Sequence, residues 1–265
     1  MVANSKINKK PSICITTYYD EAFEEIGELC LKSAKKYGQK FDIDVVKYSK
    51  NLSNRPPAWN KILVVKELLQ KYDFVVWIDA DAVFVRFDKD IRDEIEKGKD
   101  FYICLIDFKN RVAPNSGFFI VRKSAWSLNF LDKVWNKKEY IYHNYWENAA
   151  IIDILGYKKA TNYNKYRLFL NGLLYKLKVK NFVTNFLRKT HLNTLSSKFF
   201  RDLPEKKAGK KKELSLAKVK WINSNWNNLP GRVESKKAIV NHYPSKPFNE
   251  RLKKMTEDVK KAGLS

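Results

Sequence analysis

The sequence has no long apolar run, no export signal and few cysteines. No window of its 265 residues approaches the roughly 18 consecutive apolar residues that a membrane-spanning helix requires. The N-terminal residues MVANSKINKKPS also lack the apolar stretch of a signal peptide. The cysteines are odd in number, show no CxxC spacing and lie partly in apolar runs: Cys14, Cys30 and Cys104. We therefore expect reduced, buried thiols in a cytoplasmic protein without a spanning helix.

The composition is that of a folded protein with a strong excess of positive charge. Hydrophobic residues make up 44% of the chain and aromatic residues 14%, which excludes a disordered chain. The formal net charge is +23 and the isoelectric point is near 9.7. Such a charge attracts anions, whether nucleic acid, anionic lipid or phosphorylated metabolites, and charge alone does not choose among them.

Strand and helix patterns alternate over the first 157 residues. This alternation predicts an α/β fold with a largely parallel sheet covered on both faces. Ligands of such sheets bind beyond the carboxyl ends of the strands. Strands are predicted at 12–18, 41–49, 74–78, 100–106 and 118–123, with a loop at 108–117. Helices are predicted at 20–38, 60–72, 88–98, 124–135 and 146–155, with an exposed final helix at 248–262.

A basic segment, 161–220, interrupts this pattern. It contains 16 Lys and Arg against 3 Asp and Glu, so it supplies more than half of the net charge. Its stretch 166–189 mixes Leu, Phe and Val with Lys and Arg, as an interfacial amphipathic helix does. We interpret 161–220 as a helical insertion that packs on the main domain. Peripheral contact with an anionic membrane and contact with nucleic acid are the alternatives.

Two aspartates follow the apolar strand in the stretch FVVWIDADAVF. Asp79 and Asp81 are two residues apart, so on an extended strand they would point to one face, with only Ala80 between them. A pair of carboxylates is an adequate beginning for a Mg²⁺ or Mn²⁺ site, because these cations take oxygen ligands and keep positions open for phosphate. The alternative is that both side chains cap the end of the strand through backbone N–H groups.

Four motifs in order give this pair a context. VVWIDADAVF, PNSGFFIVRKSAWSLNFLDKVW, WENAAIIDIL and IVNHYP together resemble the metal-dependent GT-A glycosyltransferases. They are most similar to the family 34 enzymes, which are retaining galactosyl-, xylosyl- and mannosyltransferases that use nucleotide sugars. The resemblance covers 12–157 and 221–247. It implies a single Rossmann-like GT-A domain over 1–265, with a mixed, mainly parallel sheet, from which the insertion 161–220 departs.

The resemblance also implies a metal site. Asp81 would bind Mn²⁺ or Mg²⁺ directly, and Asp79 would bind the cation, the donor ribose or the sugar. His242, in IVNHYP, would be the third protein ligand. A lone histidine is more often a packed or surface residue, but its place after IVN favours the ligand role.

The donor site is implied at two further places. Thr16, Thr17 and Tyr18 resemble a nucleotide-binding segment in which backbone groups contact the base, and simple strand termination is the alternative. Lys61 resembles a family lysine that faces the donor and can pair with phosphate, and a solvated helix lysine is the alternative. Ala80, between the two aspartates, belongs to the same donor site.

The remaining implied residues surround the sugars. Asn115, Ser116 and Gly117 look like a donor-sugar and acceptor loop, for which an ordinary turn is the alternative. Glu147 and Asn148 correspond to the catalytic acidic and amide positions, although a glutamine is usual where Asn148 stands. The alternative for Glu147 is an acid favourable to a helix N-terminus. Trp226 and Asn227 resemble a late motif at the edge of the site, and a packed tryptophan in a turn is the alternative.

These features predict a metal-dependent retaining glycosyltransferase. It would move a hexose or pentose from a nucleotide-diphosphate sugar, with UDP favoured over GDP, to a saccharide or glycan acceptor. One alternative is a basic nucleic-acid-binding protein or metal-dependent nuclease, which the concentration of charge in one segment disfavours. Another is an inactive relative that binds sugars or a membrane surface. We expect no nucleic-acid partner.

Overall fold

The computed structural model describes residues 10–107, 112–157, 165–177, 216–232 and 234–264. Strands and helices alternate along the first half of the chain, as the sequence predicts. The strands are β1 (Ile13–Tyr18), β2 (Asp44–Tyr48), β3 (Phe74–Ile78), β4 (Ala82–Phe84), β5 (Phe101–Asp107), β6 (Val112–Arg122), β7 (Val219–Ile222) and β8 (Val240–His242). The helices are α1 (Glu24–Phe41), α2 (Asn60–Leu68), α3 (Ala125–Asn136), α4 (Trp146–Ile154), α5 (Lys165–Lys176) and α6 (Phe248–Lys261).

Six of the described strands form one mixed sheet, in the order β2-β1-β3-β6-β5-β7. β1 runs parallel to β2 and β3, and β5 runs parallel to β7, whereas β6 is antiparallel to β3 and β5. The mixed, mainly parallel sheet is therefore confirmed. Because β6 runs the other way, its N-terminal half lies at the edge where β1 and β3 end. In register, Ile78 at the end of β3 pairs with Phe118.

The two faces of this sheet carry separate hydrophobic clusters. On one face, β1, β3 and β6 pack with α1, α6 and the β4–β8 pair. On the other face, the alternate residues of the same strands pack with α2, α3 and α4. This alternation is what the two-residue side-chain period of a strand produces when both faces are covered. The three cysteines are buried and free, as predicted.

Three local predictions differ from the structure. The helix predicted at 88–98 is a single 3-10 turn, Ile91–Glu94, because it buries only one residue and lacks an apolar stripe. The predicted loop 108–117 already belongs to β6 from Val112 onward, where it pairs with β5. The final helix is not exposed: its Met255 and Val259 are buried in the cluster that contains α1.

Most of the predicted insertion lies outside the described residues. Helix α5 lies within 166–189, where a helix was predicted, and β7 begins at Val219, two residues inside the predicted insertion. The insertion as a unit stays a prediction. Among the helices that the structure describes, none is both long enough and apolar enough to cross a membrane.

Candidate active site

The two aspartates lie in a turn between β3 and β4. The Ala82 backbone N–H donates to the Asp79 carbonyl at 3.0 Å, and the Asp79 N–H donates to the Gly117 carbonyl at 2.8 Å. The prediction that an extended strand aligns the two carboxylates is therefore wrong, since the turn brings them together. Ala80 is half-buried within this turn.

Strand pairing brings His242 to this turn from the far end of the chain. β4, which directly follows Asp81, is antiparallel to β8, and Ala82 is opposite His242 in the register. The Tyr243 N–H also donates to the Asp81 carbonyl at 2.9 Å. The predicted convergence of Asp79, Asp81 and His242 is thus present in the structure.

Three side-chain atoms converge between these residues. His242 Nε2 lies 3.2 Å from Asp81 Oδ1 and 3.7 Å from Asp79 Oδ2. One ligand atom from each residue can be chosen so that all lie within 4.8 Å of one another. Two ligands about 2.1 Å from one cation are about 3.0 Å apart at a right angle and about 4.2 Å apart across it. The spacing therefore suits a single cation.

Each aspartate has its other oxygen held by the protein. Asp79 Oδ1 accepts from Trp77 Nε1 at 2.7 Å and pairs with Lys61 Nζ at 2.8 Å. Asp81 Oδ2 accepts from the Arg251 guanidinium at 2.9 Å. These partners are side chains, which does not match the alternative that the aspartates cap a strand through backbone N–H groups. One oxygen of each carboxylate thus remains directed at His242.

A hydrogen-bond chain fixes the histidine tautomer. The Asn227 amide nitrogen donates to the Asn115 carbonyl at 3.1 Å and to Asn115 Oδ1 at 2.8 Å. Because a backbone carbonyl only accepts, Asn227 Oδ1 faces the other way, where it lies 2.9 Å from His242 Nδ1. Nδ1 therefore carries a proton, which leaves the buried Nε2, without a hydrogen-bond partner among the described residues, as the ring nitrogen that faces the two carboxylates.

Gly117 makes room for the histidine ring. A Cβ on Gly117 would meet His242 Cε1 at 2.1 Å and Nδ1 at 2.3 Å, distances that real Cβ atoms essentially never show. The sequence predicted a close approach of this backbone to a ligand. The structure shows a close approach to His242, and the approach to a ligand stays a prediction.

Lys61 is a buried counter-ion rather than a solvated lysine. Its ammonium contacts Asp79 Oδ1 at 2.8 Å, Glu147 Oε1 at 2.6 Å and the Ser116 carbonyl at 3.0 Å. The residue is 3% exposed, so the alternative of a solvated helix lysine is wrong. Burial disfavours its charged form, but the two carboxylates outweigh burial and raise the pKa of Lys61.

Hydrogen bonds join the start of α4 to β6 next to Lys61. Ser116 Oγ donates to Glu147 Oε1 at 3.1 Å, and the Ser116 N–H donates to Asn148 Oδ1 at 3.0 Å. Glu147 Oε2 is buried without a hydrogen-bond partner among the described residues. Burial raises the pKa of Glu147, although Lys61 opposes the shift. Glu147 and Asn148 thus lie in the same network as the aspartates.

The sequence prediction missed two residues of this network, Trp77, which donates to Asp79, and Arg251. Arg251 lies on α6, its side chain is 15% exposed, and its guanidinium also lies 5.2 Å from the centre of the Phe23 ring. Burial alone would raise the pKa of Asp81, but His242 and Arg251 lower it to about 2. The amphipathic pattern of 248–262 could have marked α6 as packed, but nothing distinguishes Arg251 from its basic neighbours in the sequence.

Trp226 and Asn227, predicted at the edge of the site, are both buried. Trp226 packs against the Phe118 ring, with ring centres 5.6 Å apart, and its indole N–H donates to Glu94 Oε1 at 2.9 Å. Asn227 is fully buried, and its amide contacts Asn115 and His242. Contact of these two residues with a sugar stays a prediction.

The predicted nucleotide segment lies at the end of β1. Thr16 Oγ1 donates to the Val46 carbonyl at 3.0 Å, and the Tyr18 hydroxyl donates to Asn51 Oδ1 at 2.7 Å. Thr17 Oγ1 is 3.9 Å from the thiol of Cys30, which also points at the Asp79 carbonyl. The segment is thus adjacent to the aspartate turn, and nucleotide binding by it stays a prediction.

Comparison with known proteins agrees with this geometry. A family model described as nucleotide-diphospho-sugar transferase matches residues 19–222. An alpha-1,2-galactosyltransferase of Schizosaccharomyces pombe, described as uncharacterized, is 26% identical over 148 residues, or 42% of this chain and 38% of that protein. Xyloglucan 6-xylosyltransferase 1 of Arabidopsis thaliana is 32% identical over 84 residues, or 28% of this chain and 18% of that protein. The matches thus span well under half of these relatives.

One solved structure covers nearly the whole fold. It is a glycosyltransferase involved in the glycosylation of the major capsid of PBCV-1, with a TM-score of 0.55. The similarity covers 93% of this chain and 100% of that one at 14% sequence identity, so it bears on the fold alone. The predicted GT-A fold is therefore confirmed.

Proposed function

Because the chain belongs to the nucleotide-diphospho-sugar transferase family, we propose that it is a metal-dependent retaining glycosyltransferase. It moves a hexose or pentose from a nucleotide-diphosphate sugar, with UDP preferred over GDP, to a saccharide or glycan acceptor. The curated relatives described above are named for a hexose, galactose, and a pentose, xylose.

One observation carries the metal dependence. Asp79 and Asp81 each have one oxygen held by a protein side chain and the other directed at His242 Nε2, while Asn227 holds the second ring nitrogen of His242. Such a set of two carboxylate oxygens and one nitrogen fits Mn²⁺ or Mg²⁺, and the nitrogen favours Mn²⁺ because Mg²⁺ prefers oxygen ligands. Asp79, Asp81 and His242 would hold the cation. When bound, it neutralises charge on the departing diphosphate.

The charges around the cluster suit a diphosphate. Among the described residues, the carboxylates of Asp79, Asp81 and Glu147 pair with two permanently basic groups, Lys61 and Arg251. A divalent cation converts this excess of negative charge into an excess of positive charge, which attracts the donor phosphates. Lys61 holds Asp79 and Glu147 at a fixed separation, so we assign it to positioning rather than to a mobile phosphate contact.

Glu147 and Asn148 act on the sugar in this proposal. Glu147 Oε1 is held by Lys61 and Ser116, which leaves Oε2 to stabilise the positive charge that develops at the anomeric carbon. The acceptor hydroxyl oxygen bonds to that carbon as the bond to the diphosphate breaks, and the hydroxyl proton passes to a phosphate oxygen. Retention requires either this same-face route or a covalent intermediate on a protein group.

Thermal-shift screening with UDP- and GDP-sugars, each with and without Mn²⁺, tests the proposal. We expect stabilisation by a UDP-sugar that requires Mn²⁺, and donor hydrolysis that His242→Ala and Asp81→Asn both abolish. Asp132→Asn is the matched control, because Asp132 pairs with Lys66 away from the cluster. Failure of every nucleotide sugar to stabilise the protein, or full metal-dependent hydrolysis by His242→Ala, would overturn the proposal.

A further inference from the structure

Helix α5 exposes a line of large apolar side chains. Ten large hydrophobic residues of the described part of the chain are exposed, and four of them lie on α5 or directly after it: Phe169, Leu170, Leu173 and Leu177. Phe169 is 76% exposed and Leu177 is 59% exposed. Phe169, Leu173 and Leu177 are four residues apart, so they share one helix face.

The opposite face of α5 is anchored to the protein body. Gly172 packs so closely on Tyr142 that a Cβ there would lie 2.9 Å from the ring, and the ring of Tyr175 is centred 5.5 Å from that of Tyr142. The Asn171 amide donates to Asn144 Oδ1 at 3.2 Å. These contacts direct the apolar line away from the body.

Two exposed aromatic residues lie next to the anchoring contacts in the sequence. Tyr145 is 45% exposed and Trp146 is 37% exposed, and both directly follow the anchoring residue Asn144. Tyrosine and tryptophan have an apolar body and a polar tip, and they are enriched where hydrocarbon meets water. Trp146 directly precedes Glu147, so α5 is anchored to the segment that leads into α4 and the proposed catalytic residues.

The apolar line lies within a strongly basic part of the sequence. Residues 161–220 contain 16 Lys and Arg against 3 Asp and Glu, and Lys176 is exposed on α5 itself. An apolar helix face flanked by basic residues binds anionic bilayers through apolar burial and electrostatic attraction together. We propose that Phe169, Leu170, Leu173 and Leu177 enter the headgroup region of an anionic membrane, which holds the site at the bilayer surface.

Vesicle flotation of the full chain tests this proposal. We expect binding to vesicles that contain phosphatidylglycerol, weak binding to pure phosphatidylcholine, and release from the anionic vesicles at high salt. Phe169→Ser/Leu177→Ser should weaken binding to anionic vesicles at least tenfold. Leu52→Ser/Val112→Ser, which removes two exposed apolar side chains elsewhere, should change it less than twofold.

Other occupants of the surface give different results. If a second copy covers it, wild type sediments as a dimer, Phe169→Ser/Leu177→Ser sediments as a monomer, and neither floats with vesicles. If another segment of the chain covers it, the double variant loses thermal stability while vesicle binding is unchanged. Either result, or equal loss of binding in both double variants, overturns the proposal. Mn²⁺-dependent donor hydrolysis without vesicles is measured alongside, so that a failure of the proposed function is recognised separately.

Discussion

Gly117→Ala tests whether the space left by one glycine determines the position of the candidate metal ligand. The new Cβ would lie 2.1 Å from His242 Cε1, whereas ordinary contact begins at 3.4 Å. The ring must therefore move by about 1.3 Å, several times the roughly 0.2 Å by which ligand distances vary at a well-formed metal site. Overpacking a buried position in this way costs about 1–3 kcal/mol of unfolding free energy.

A double-mutant cycle isolates this contact. Urea unfolding without metal is measured for wild type, Gly117→Ala, His242→Ala and the double variant. We expect Gly117→Ala to cost less than half as much when the ring is absent, because Asn115 Oδ1, at 3.0 Å, is the closest atom that then remains. Additive costs would refute the reasoning. Independently, Mn²⁺ affinity measured by electron paramagnetic resonance should fall at least tenfold in Gly117→Ala, and unchanged affinity would refute the ligand role of His242.

Three further perturbations test other parts of the network. Lys61→Met leaves the buried Glu147 and the partly buried Asp79 without their shared cation, so it should cost about 3–5 kcal/mol in urea unfolding, whereas Lys66→Met, at a surface pair, should cost less than about 1 kcal/mol. Equal costs would contradict the burial argument. Asn227→Leu removes the hydrogen bond that orients the His242 ring, so it should weaken Mn²⁺ binding about 10- to 100-fold. Asn225→Leu, on the same turn, should leave Mn²⁺ affinity unchanged. Equal affinity of both variants would contradict the role of Asn227 in orienting His242. Burial raises the pKa of the thiols of Cys14, Cys30 and Cys104, so we expect none of them to react with a disulfide reagent until the protein unfolds. Fast reaction in the native state would contradict this expectation.

The members of the aspartate–histidine cluster could be predicted from the sequence, but the turn that positions them could not. Asp79, Asp81 and His242 could be predicted because they lie in motifs whose order along the chain resembles that of a known family. Strand pairing then brings these motifs together in the fold. The turn at Asp79 was not predicted, because apolar residues on both sides of the aspartates are equally compatible with one continuous strand. The turn is seen in the structure, where the Ala82 N–H donates to the Asp79 carbonyl and β4 pairs with β8.

The contacts that the sequence did not predict have a common physical cause. They join residues that are far apart in the sequence: Lys61 contacts a residue 86 positions away, Asn227 one 15 positions away and Arg251 one 170 positions away. A local pattern gives the type of a side chain and its face on a helix or strand, but not its partner across the fold. The burial of Trp226 and Asn227 depends in the same way on packing from other segments of the chain.

The pairing of β4 with β8 sets an order of events during synthesis. Asp79 and Asp81 leave the ribosome early, whereas Arg251, which holds Asp81, is 170 residues further along the chain. Until then, the emerging aspartates have neither His242 nor Arg251 beside them, and the hydrophobic face that α6 covers is open. In the proposed function, a nascent chain therefore cannot hold the cation in this geometry before Arg251 has been synthesised.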